Sequence, residues 1–224
     1  MDDKTKFECT HRPYLHYIIR PIGRKFIPWA IRFGLVPNQI TFFSMIALFA
    51  SMILFGIGGY CYQLLAVGIF QIREILDTID GDLARQTGQS SRKGEYFDAI
   101  GGYLLGGLLL PSIGLGLTRT LGLSCAALSY MMHIAPWVYL SVGLWAGLIG
   151  LMTRLISLRH RFLFSESLHN SSGKISRVAS CFEDFLPFLL IIAVIVKSLD
   201  IILLLFALFY SVRFLYVLYA SCKK

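Results

Sequence analysis

Residues 77–102 form a strongly polar stretch between two long apolar runs, and this contrast limits what the chain can fold into. The stretch reads DTIDGDLARQTGQSSRKGEYFDAIGG. Because 56% of all residues are hydrophobic, the apolar runs predict one membrane domain rather than an ordinary soluble protein. Charged groups at the edge of a hydrocarbon layer are unfavourable unless they are paired or bound to a metal, so the stretch is a functional-site hypothesis.

If the first part of this stretch is helical, positions three, four and seven apart share one face. Asp77, Asp80, Gly81 and Ala84 then point the same way. Asp82 lies roughly 140° round the helix from Asp77, at about 100° per residue, so it is a poor candidate for the same site.

The second part of the stretch has the same spacing. Gly94 and Asp98 are four residues apart, and Glu95 lies one turn before Asp98. We expect Asp77, Asp80 and Asp98 to converge across a helix hairpin. Clustered carboxylates repel one another unless a cation keeps them ionised. Oxygen ligands favour Mg²⁺, Mn²⁺ or Ca²⁺ over zinc, and the stretch contains no His or Cys.

Seven residues at fixed spacings resemble the signature of the CDP-alcohol phosphotransferase family: Asp77, Asp80, Gly81, Ala84, Arg85, Gly94 and Asp98. The sequence PNQIT at residues 37–41 is similar to the segment that often opens the first membrane helix in this family. The resemblance implies an all-α integral membrane transferase that works as a homodimer. It implies transfer of a phospho-alcohol group from a CDP-linked donor, with release of CMP, in lipid or lipid-linked glycan biosynthesis.

The resemblance also implies roles for individual residues. One or two Mg²⁺ or Mn²⁺ ions would be held by Asp77, Asp80 and Asp98, the last of which would also be catalytic. The CDP group would be bound by Asp80, Gly81, Ala84, Arg85 and Gly94. Arg85 suits a phosphate because its planar guanidinium can donate two parallel hydrogen bonds.

The chain departs from the signature at Gly102, where the family has a further Asp that is thought to deprotonate the acceptor hydroxyl. Three alternatives follow. The acceptor is already ionised, as the phosphate of a polyprenyl phosphate is. Otherwise Glu95, within about 60° of Asp98 on the helix, supplies the carboxylate. In the third alternative the protein is a pseudoenzyme that binds CDP compounds.

Three arginines are candidates for binding an acceptor phosphate. Arg73 lies one turn before Asp77 and pairs either with that carboxylate or with a substrate phosphate. Arg154 and Arg213 lie within apolar segments, where lone cations usually face a cavity. Extension of the side chain to the membrane interface is the alternative, and we favour it for Arg154.

The hydropathy pattern predicts six membrane spans of about 20 residues or fewer. We place them at residues 38–57, 62–80, 96–117, 137–157, 185–195 and 201–219. A tight turn at Gly58 and Gly59 joins the first two spans, and the polar stretch caps the hairpin that follows. The membrane domain accordingly extends over residues 37–224.

Residues 1–36 form a separate cytoplasmic or interfacial N-terminal segment. From His16 to Phe33 basic residues alternate with aromatic and aliphatic ones, as in an amphipathic interfacial helix. We expect Pro21 and Pro28 to interrupt this helix. An anchor along anionic lipid headgroups and a simple basic leader are equally good interpretations of the segment.

The net charge of +8 is better explained by a basic cytoplasmic face than by nucleic-acid binding, because no basic module with interleaved aromatic residues is present. Placing nearly all Lys and Arg on one side puts the polar hairpin in the cytoplasm, where nucleotide-activated donors occur. The compact multi-pass chain suits a bacterial or archaeal cell membrane.

A small-solute transporter is the competing class, because charges and glycines within spans can line a pathway. The charges cluster at one face, however, and the glycines between residues 101 and 116 favour close helix packing instead. The enzyme interpretation is therefore preferred.

Overall fold

A computed structural model of the protein describes residues 13–88, 92–119, 135–164 and 182–222. Every regular element in these ranges is a helix, which confirms the all-α prediction. A π-helical turn, Leu15–Ile19, leads directly into the first α-helix. The α-helices are α1 (Arg20–Arg32), α2 (Pro37–Ile57), α3 (Tyr60–Thr87), α4 (Arg92–Arg119), α5 (Pro136–Phe164), α6 (Leu186–Ile195) and α7 (Leu199–Cys222).

Glycines in left-handed conformations set the ends of α2 and α3. Gly58 and Gly59 have φ of 79° and 84°, which side chains rarely tolerate, and they form the predicted turn between the two helices. At the other end of α3, Gly88 has φ of 66° and its backbone N–H donates to the carbonyl oxygen of Ala84. A glycine in this conformation commonly ends a helix. Gly88 therefore marks where α3 stops and the connection to α4 starts.

Helices α2 to α7 form a closed ring. Around the ring α3 packs on α2, α2 on α4, α4 on α5, α5 on α7, α7 on α6, and α6 on α3. Large side chains fill the centre, including Phe55, Phe70, Tyr139 and Phe206, all fully buried. Helix α1 lies outside the ring against α3. The polar second half of α3 is therefore held between α1 on one side and the ring on the other.

Among the described residues, four helices are long and apolar enough to cross a membrane: Pro37–Ile57, Ala99–Arg119, Pro136–Arg159 and Leu199–Tyr219. They correspond to four of the six predicted spans, and the other two are not confirmed. Helix α3, which contains the predicted second span, carries charged residues through its second half. Helix α6, in place of the fifth, has only 10 residues, about half of what a span needs.

The prediction that prolines interrupt the N-terminal helix is wrong. Helix α1 continues through Pro28, and Pro21 lies just after the π-helical turn that leads into α1, so neither proline interrupts the helix. Its outer surface exposes large apolar side chains, such as Phe26 and Trp29, beside exposed basic residues such as Lys25. The amphipathic interfacial role of this segment stays a prediction, and residues 1–12 lie outside the described part of the chain.

Helix α4 approaches its neighbours at backbone-to-backbone distance. A Cβ atom at Gly114 would lie 2.5 Å from the carbonyl oxygen of Tyr139 in α5, and one at Gly143 would lie 2.7 Å from that of Leu110 in α4. On the opposite side, a Cβ at Gly116 would collide with the carbonyl oxygen of Phe55 in α2. Small residues permit such close approach within a membrane. Gly114 and Gly116 therefore pack helices, as predicted, and Gly143 does so too.

Candidate functional site

The second half of α3 places its charged residues on two faces. Asp77 lies on the side of a cavity inside the ring, whereas Asp82 is buried on the side of α1. The helical spacing of the sequence predicts this separation. The acidic residues of the stretch therefore lie in two environments: Asp77 lies at the cavity, and Asp82 lies at the contact with α1.

Arg73 forms the ion pair with Asp77 that the sequence left as one of two alternatives. Its guanidinium nitrogens lie 2.9 Å from Asp77 Oδ1 and 2.6 Å from Glu74 Oε1. The Arg73 side chain is 7% exposed, whereas that of Asp77 is 30% exposed and lines the cavity. The second carboxylate oxygen of Asp77 takes part in no hydrogen bond among the described residues, so it is open to a ligand from the cavity.

Asp80 is positioned from α2. Thr41 Oγ lies 2.7 Å from Asp80 Oδ2 and 3.1 Å from the carbonyl oxygen of Pro37. A hydroxyl has one hydrogen to donate, and the shorter bond to an ionised acceptor is the stronger one. Thr41 therefore donates to Asp80 and fixes the orientation of its carboxylate.

If Asp80 holds a Mg²⁺ ion, as the resemblance implies, replacing Thr41 with valine, which has the same shape without the hydroxyl, should weaken that binding. We expect the Mg²⁺ concentration for half-maximal CMP release to rise about 10- to 100-fold, as for other residues that orient metal ligands. A Mg²⁺ titration of CMP release measures this, and Thr41→Ser is the matched control that keeps the donor. An unchanged Mg²⁺ requirement in Thr41→Val would show that the hydrogen bond does not position a ligand.

Asp82 joins α3 to α1. Arg20 Nε lies 4.0 Å from Asp82 Oδ1, Arg24 Nε lies 3.7 Å from Oδ2, and a guanidinium nitrogen of Arg85 contacts Oδ1. The Asp82 side chain is 10% exposed, as is that of Arg20. This carboxylate thus has a structural role, and Arg85, predicted to bind CDP, uses part of its guanidinium on it.

Asp82→Asn should lower the free energy of unfolding by about 2 kcal/mol, because it removes the negative charge that faces the buried guanidinium of Arg20. The value lies below that of a fully buried pair because Arg24 and Arg85 are each 60% exposed and screened by solvent. Thermal unfolding in detergent measures it, with the exposed Arg24→Gln as a control that should change little. If Asp82→Asn had the same melting temperature as the wild type, the Asp82 carboxylate would not be what holds α1 in place.

The other side of the predicted site lies on α4. The backbone of this helix carries Gly94, Glu95 and Asp98, but the side chains of Glu95 and Asp98 are outside the described part of the structure. Among the side chains that are described, no group of three or more His, Cys, Asp or Glu forms a metal site. The convergence of Asp98 on Asp77 and Asp80 therefore stays a prediction.

All three arginines proposed for an acceptor phosphate line one cavity of about 440 Å³. Arg73 faces it from α3, Arg154 from α5 and Arg213 from α7. The favoured prediction that Arg154 extends to the interface is wrong. Its guanidinium turns inward, beside the hydroxyl of Tyr210 and against α4, because two glycines of α4 leave room for it.

The N-terminal segment closes one side of this cavity. The backbone N–H of Leu15 donates to Asp184 Oδ2 at 3.2 Å, and both residues line the cavity. The Tyr14 hydroxyl donates to Gln71 Oε1 at 2.8 Å, and Gln71 Nε2 donates to the carbonyl oxygen of Pro187 at 2.8 Å. Burial, followed by nearby carboxylates, raises the pKa of Tyr14, so its hydroxyl keeps the proton for this bond.

Several residues at this site were not found from the sequence. Thr41 lies in the PNQIT stretch, which was noted only for its place at the start of a helix. Arg20, Glu183 and Tyr210 are distant from the polar stretch in sequence and reach it only through helix packing. Glu183 pairs with Arg213, and no sequence spacing indicates that contact.

The comparison with known families agrees with the motif and the fold. A family model described as CDP-alcohol phosphatidyltransferase matches residues 34–213, which is well over half of the chain. The match includes α2 to α6, most of α7 and the whole polar stretch. No curated protein matches the chain. The chain therefore belongs to the CDP-alcohol phosphatidyltransferase family.

Proposed function

We propose that the protein transfers a phospho-alcohol group from a CDP-linked donor to an acceptor in lipid or lipid-linked glycan biosynthesis, releasing CMP. Its family carries out this type of transfer. The observation that supports the proposal best is the position of Asp77, which presents an unbonded carboxylate oxygen to a cavity that also holds three arginines. Anionic phosphates and a divalent ion are the ligands that suit such a mixture of charges.

The described residues fit a divalent metal ion. Asp77 and Asp80 are three residues apart on α3, supply hard oxygen ligands, and Asp80 is oriented by Thr41. We propose that they hold one or two Mg²⁺ or Mn²⁺ ions together with Asp98. Such an ion would neutralise charge on the pyrophosphate when CMP leaves.

The donor is proposed to bind along the face of α3 that carries Gly81 and Ala84, with Gly94 opposite. A Cβ atom at Gly81 would lie 3.7 Å from a guanidinium nitrogen of Arg85, so a phosphate next to Gly81 would meet that cation. The exposed position of Arg85 leaves donors available beyond its contact with Asp82. Phosphoryl transfer depends mainly on positioning and electrostatics, which these residues supply.

The proposal extends to the setting of the reaction. We place the site on the cytoplasmic side of a bacterial or archaeal cell membrane, and we expect a homodimer. The exposed basic residues of α1, which packs beside the polar half of α3, support the cytoplasmic side. The alternative is a pseudoenzyme that binds CDP compounds without transfer.

The test is release of CMP by purified protein in detergent. CDP-diacylglycerol, CDP-glycerol and CDP-ribitol serve as donors, with alcohols and phosphomonoesters as acceptors, each with Mg²⁺ or with EDTA. We expect CMP only when Mg²⁺ and an acceptor are both present. Mg²⁺-dependent binding of CDP compounds without any release would favour the pseudoenzyme, and absence of binding would contradict both functions.

A further inference from the structure

The cavity holds one arginine whose charge is not balanced by a described carboxylate. Arg73 and Arg213 each form ion pairs with acidic neighbours. Arg154 has no carboxylate within ion-pair distance among the described side chains, and its Nε is buried without a hydrogen-bond partner. An unpaired cation at a low-dielectric site is unfavourable unless an anion joins it. The surroundings of Arg154 in the cavity therefore suit an anionic group.

The place that Arg154 occupies is the one where this chain departs from the family signature. A Cβ atom at Gly102 would lie 3.3 Å from Arg154 Nη1, and one at Gly106 would lie 2.8 Å from its Nε. The Arg154 guanidinium thus packs directly against the backbone of α4 at these two glycines, which lie one turn apart. Where the signature has a carboxylate that would act as a base, this chain presents a cation.

We propose that Arg154 binds a phosphomonoester acceptor and that the phosphate of this acceptor is itself the nucleophile, which deepens the proposed function and rests on it. A phosphomonoester carries a charge of about −1.5 to −2 near pH 7, and the arginine fork matches its oxygens. Such an acceptor needs no base, so glycine at position 102 removes nothing that the reaction requires. Arg154 is the specificity-determining residue in this scheme.

The reaction balances without a proton donor or acceptor. An oxygen of the acceptor phosphate forms a bond to the phosphorus that carries the donor alcohol. The bridging P–O bond of the CDP group breaks, and CMP leaves with the electron pair. The product is a pyrophosphate diester, so one phosphoanhydride replaces another and no further reactant is needed.

The cavity also favours an apolar group next to the phosphate. Phe70, Leu105 and Leu109 line it on the side of the ring core. A lipid phosphate and a soluble phosphomonoester present the same phosphate group to Arg154. Only the lipid also has an apolar chain that could contact this wall and increase the affinity. Farnesyl phosphate and ethyl phosphate are therefore suitable probes, and farnesol is the matched alcohol.

Binding is measured by isothermal titration in detergent with saturating CMP and Mg²⁺, so that the donor site is filled. We expect farnesyl phosphate to bind the wild type.

The Arg154→Gln variant should bind farnesyl phosphate roughly 10- to 100-fold more weakly, as for loss of a hydrogen bond to a charged group. Arg154→Lys should restore part of the affinity. Arg159→Gln, which removes an exposed cation further along α5, is the matched control and should bind as the wild type. Tighter binding of farnesyl than ethyl phosphate assigns a lipid acceptor, and equal binding assigns a soluble one.

A second variant tests the same site without removing Arg154. Gly102→Asp places a carboxylate within reach of the guanidinium, so it should compete with the acceptor and weaken farnesyl phosphate binding at least 10-fold. Gly107→Ala, whose Cβ would make only ordinary contacts of 3.9 Å with Leu151, should leave binding unchanged. Turnover with farnesyl phosphate should give a pyrophosphate diester by ³¹P NMR, and farnesol should give no product.

Failure of this inference is distinguishable from failure of the proposed function. If CDP compounds bind with Mg²⁺ but farnesyl and ethyl phosphate bind Arg154→Gln as tightly as the wild type, the acceptor assignment is wrong and the transferase stands. The same holds if CMP is released with alcohols and never with phosphomonoesters. If CDP compounds do not bind at all, the proposed function itself is wrong and the inference falls with it.

Discussion

Replacing Asp77 or Asp80 with asparagine is expected to lower kcat/KM for CMP release by about 100-fold or more. Each substitution removes a charged oxygen ligand for a divalent ion that is proposed to stabilise the leaving pyrophosphate, an effect worth several kcal/mol, and each 1.36 kcal/mol is tenfold in rate. The fold should survive, because Arg73 keeps Glu74 as a partner when Asp77 is neutralised.

The measurement is CMP release with the best donor, together with Mg²⁺-dependent binding of CMP. Asp82→Asn is the matched control on the same helix: it removes a carboxylate that contacts arginines outside the cavity, so release per folded molecule should remain. Undiminished CMP release in Asp77→Asn and Asp80→Asn would exclude this acidic face as the metal site.

Gly116→Ala should be the most destabilising single-methyl change of those described, with a loss of about 3 kcal/mol in the free energy of unfolding. The added Cβ would collide with the carbonyl oxygen of Phe55 and lie 3.3 Å from the Cα of Gly58. These are backbone atoms that cannot rotate away, so α2 and α4 must separate, and overpacking of this kind lies at the upper end of its usual range.

Thermal unfolding in detergent tests this expectation, and the apparent melting temperature should fall by about 6–12 °C. Gly68→Ala is the control, because a Cβ at this exposed position on α3 would meet nothing within 4 Å. That change should be neutral or stabilising by up to about 1 kcal/mol, since alanine is the better helix former. Equal melting temperatures of the two variants would show that α2 and α4 are not in backbone contact.

The sequence predicted much of the architecture, because long apolar runs and helical spacing are local properties. It located four described helices that are long and apolar enough to cross a membrane, and it separated the face of Asp77 from that of Asp82. The other two predicted spans are not confirmed, because α3 is half apolar and half charged and α6 has only 10 residues. Hydropathy alone does not distinguish such helices from full spans.

What the sequence missed depends on contacts between distant residues. The direction of Arg154 follows from the space above Gly102 and Gly106, more than forty residues earlier. Likewise, Arg20 reaches Asp82 only because α1 packs on α3. For both arginines the deciding atoms lie on another helix. Pro28 was expected to break α1, but the helix continues through it.

The glycine contacts of α4 bear on which walls of the cavity can give way. Because carbonyl oxygens of α2 and α5 lie against the glycines of α4 from both sides, we expect this helix to stay in place. The opposite wall of the cavity is held by side chains, because Leu15 donates a hydrogen bond to Asp184 and Gln71 bridges Tyr14 to Pro187. We therefore expect this wall, rather than the backbone contacts of α4, to yield first if the cavity has to open.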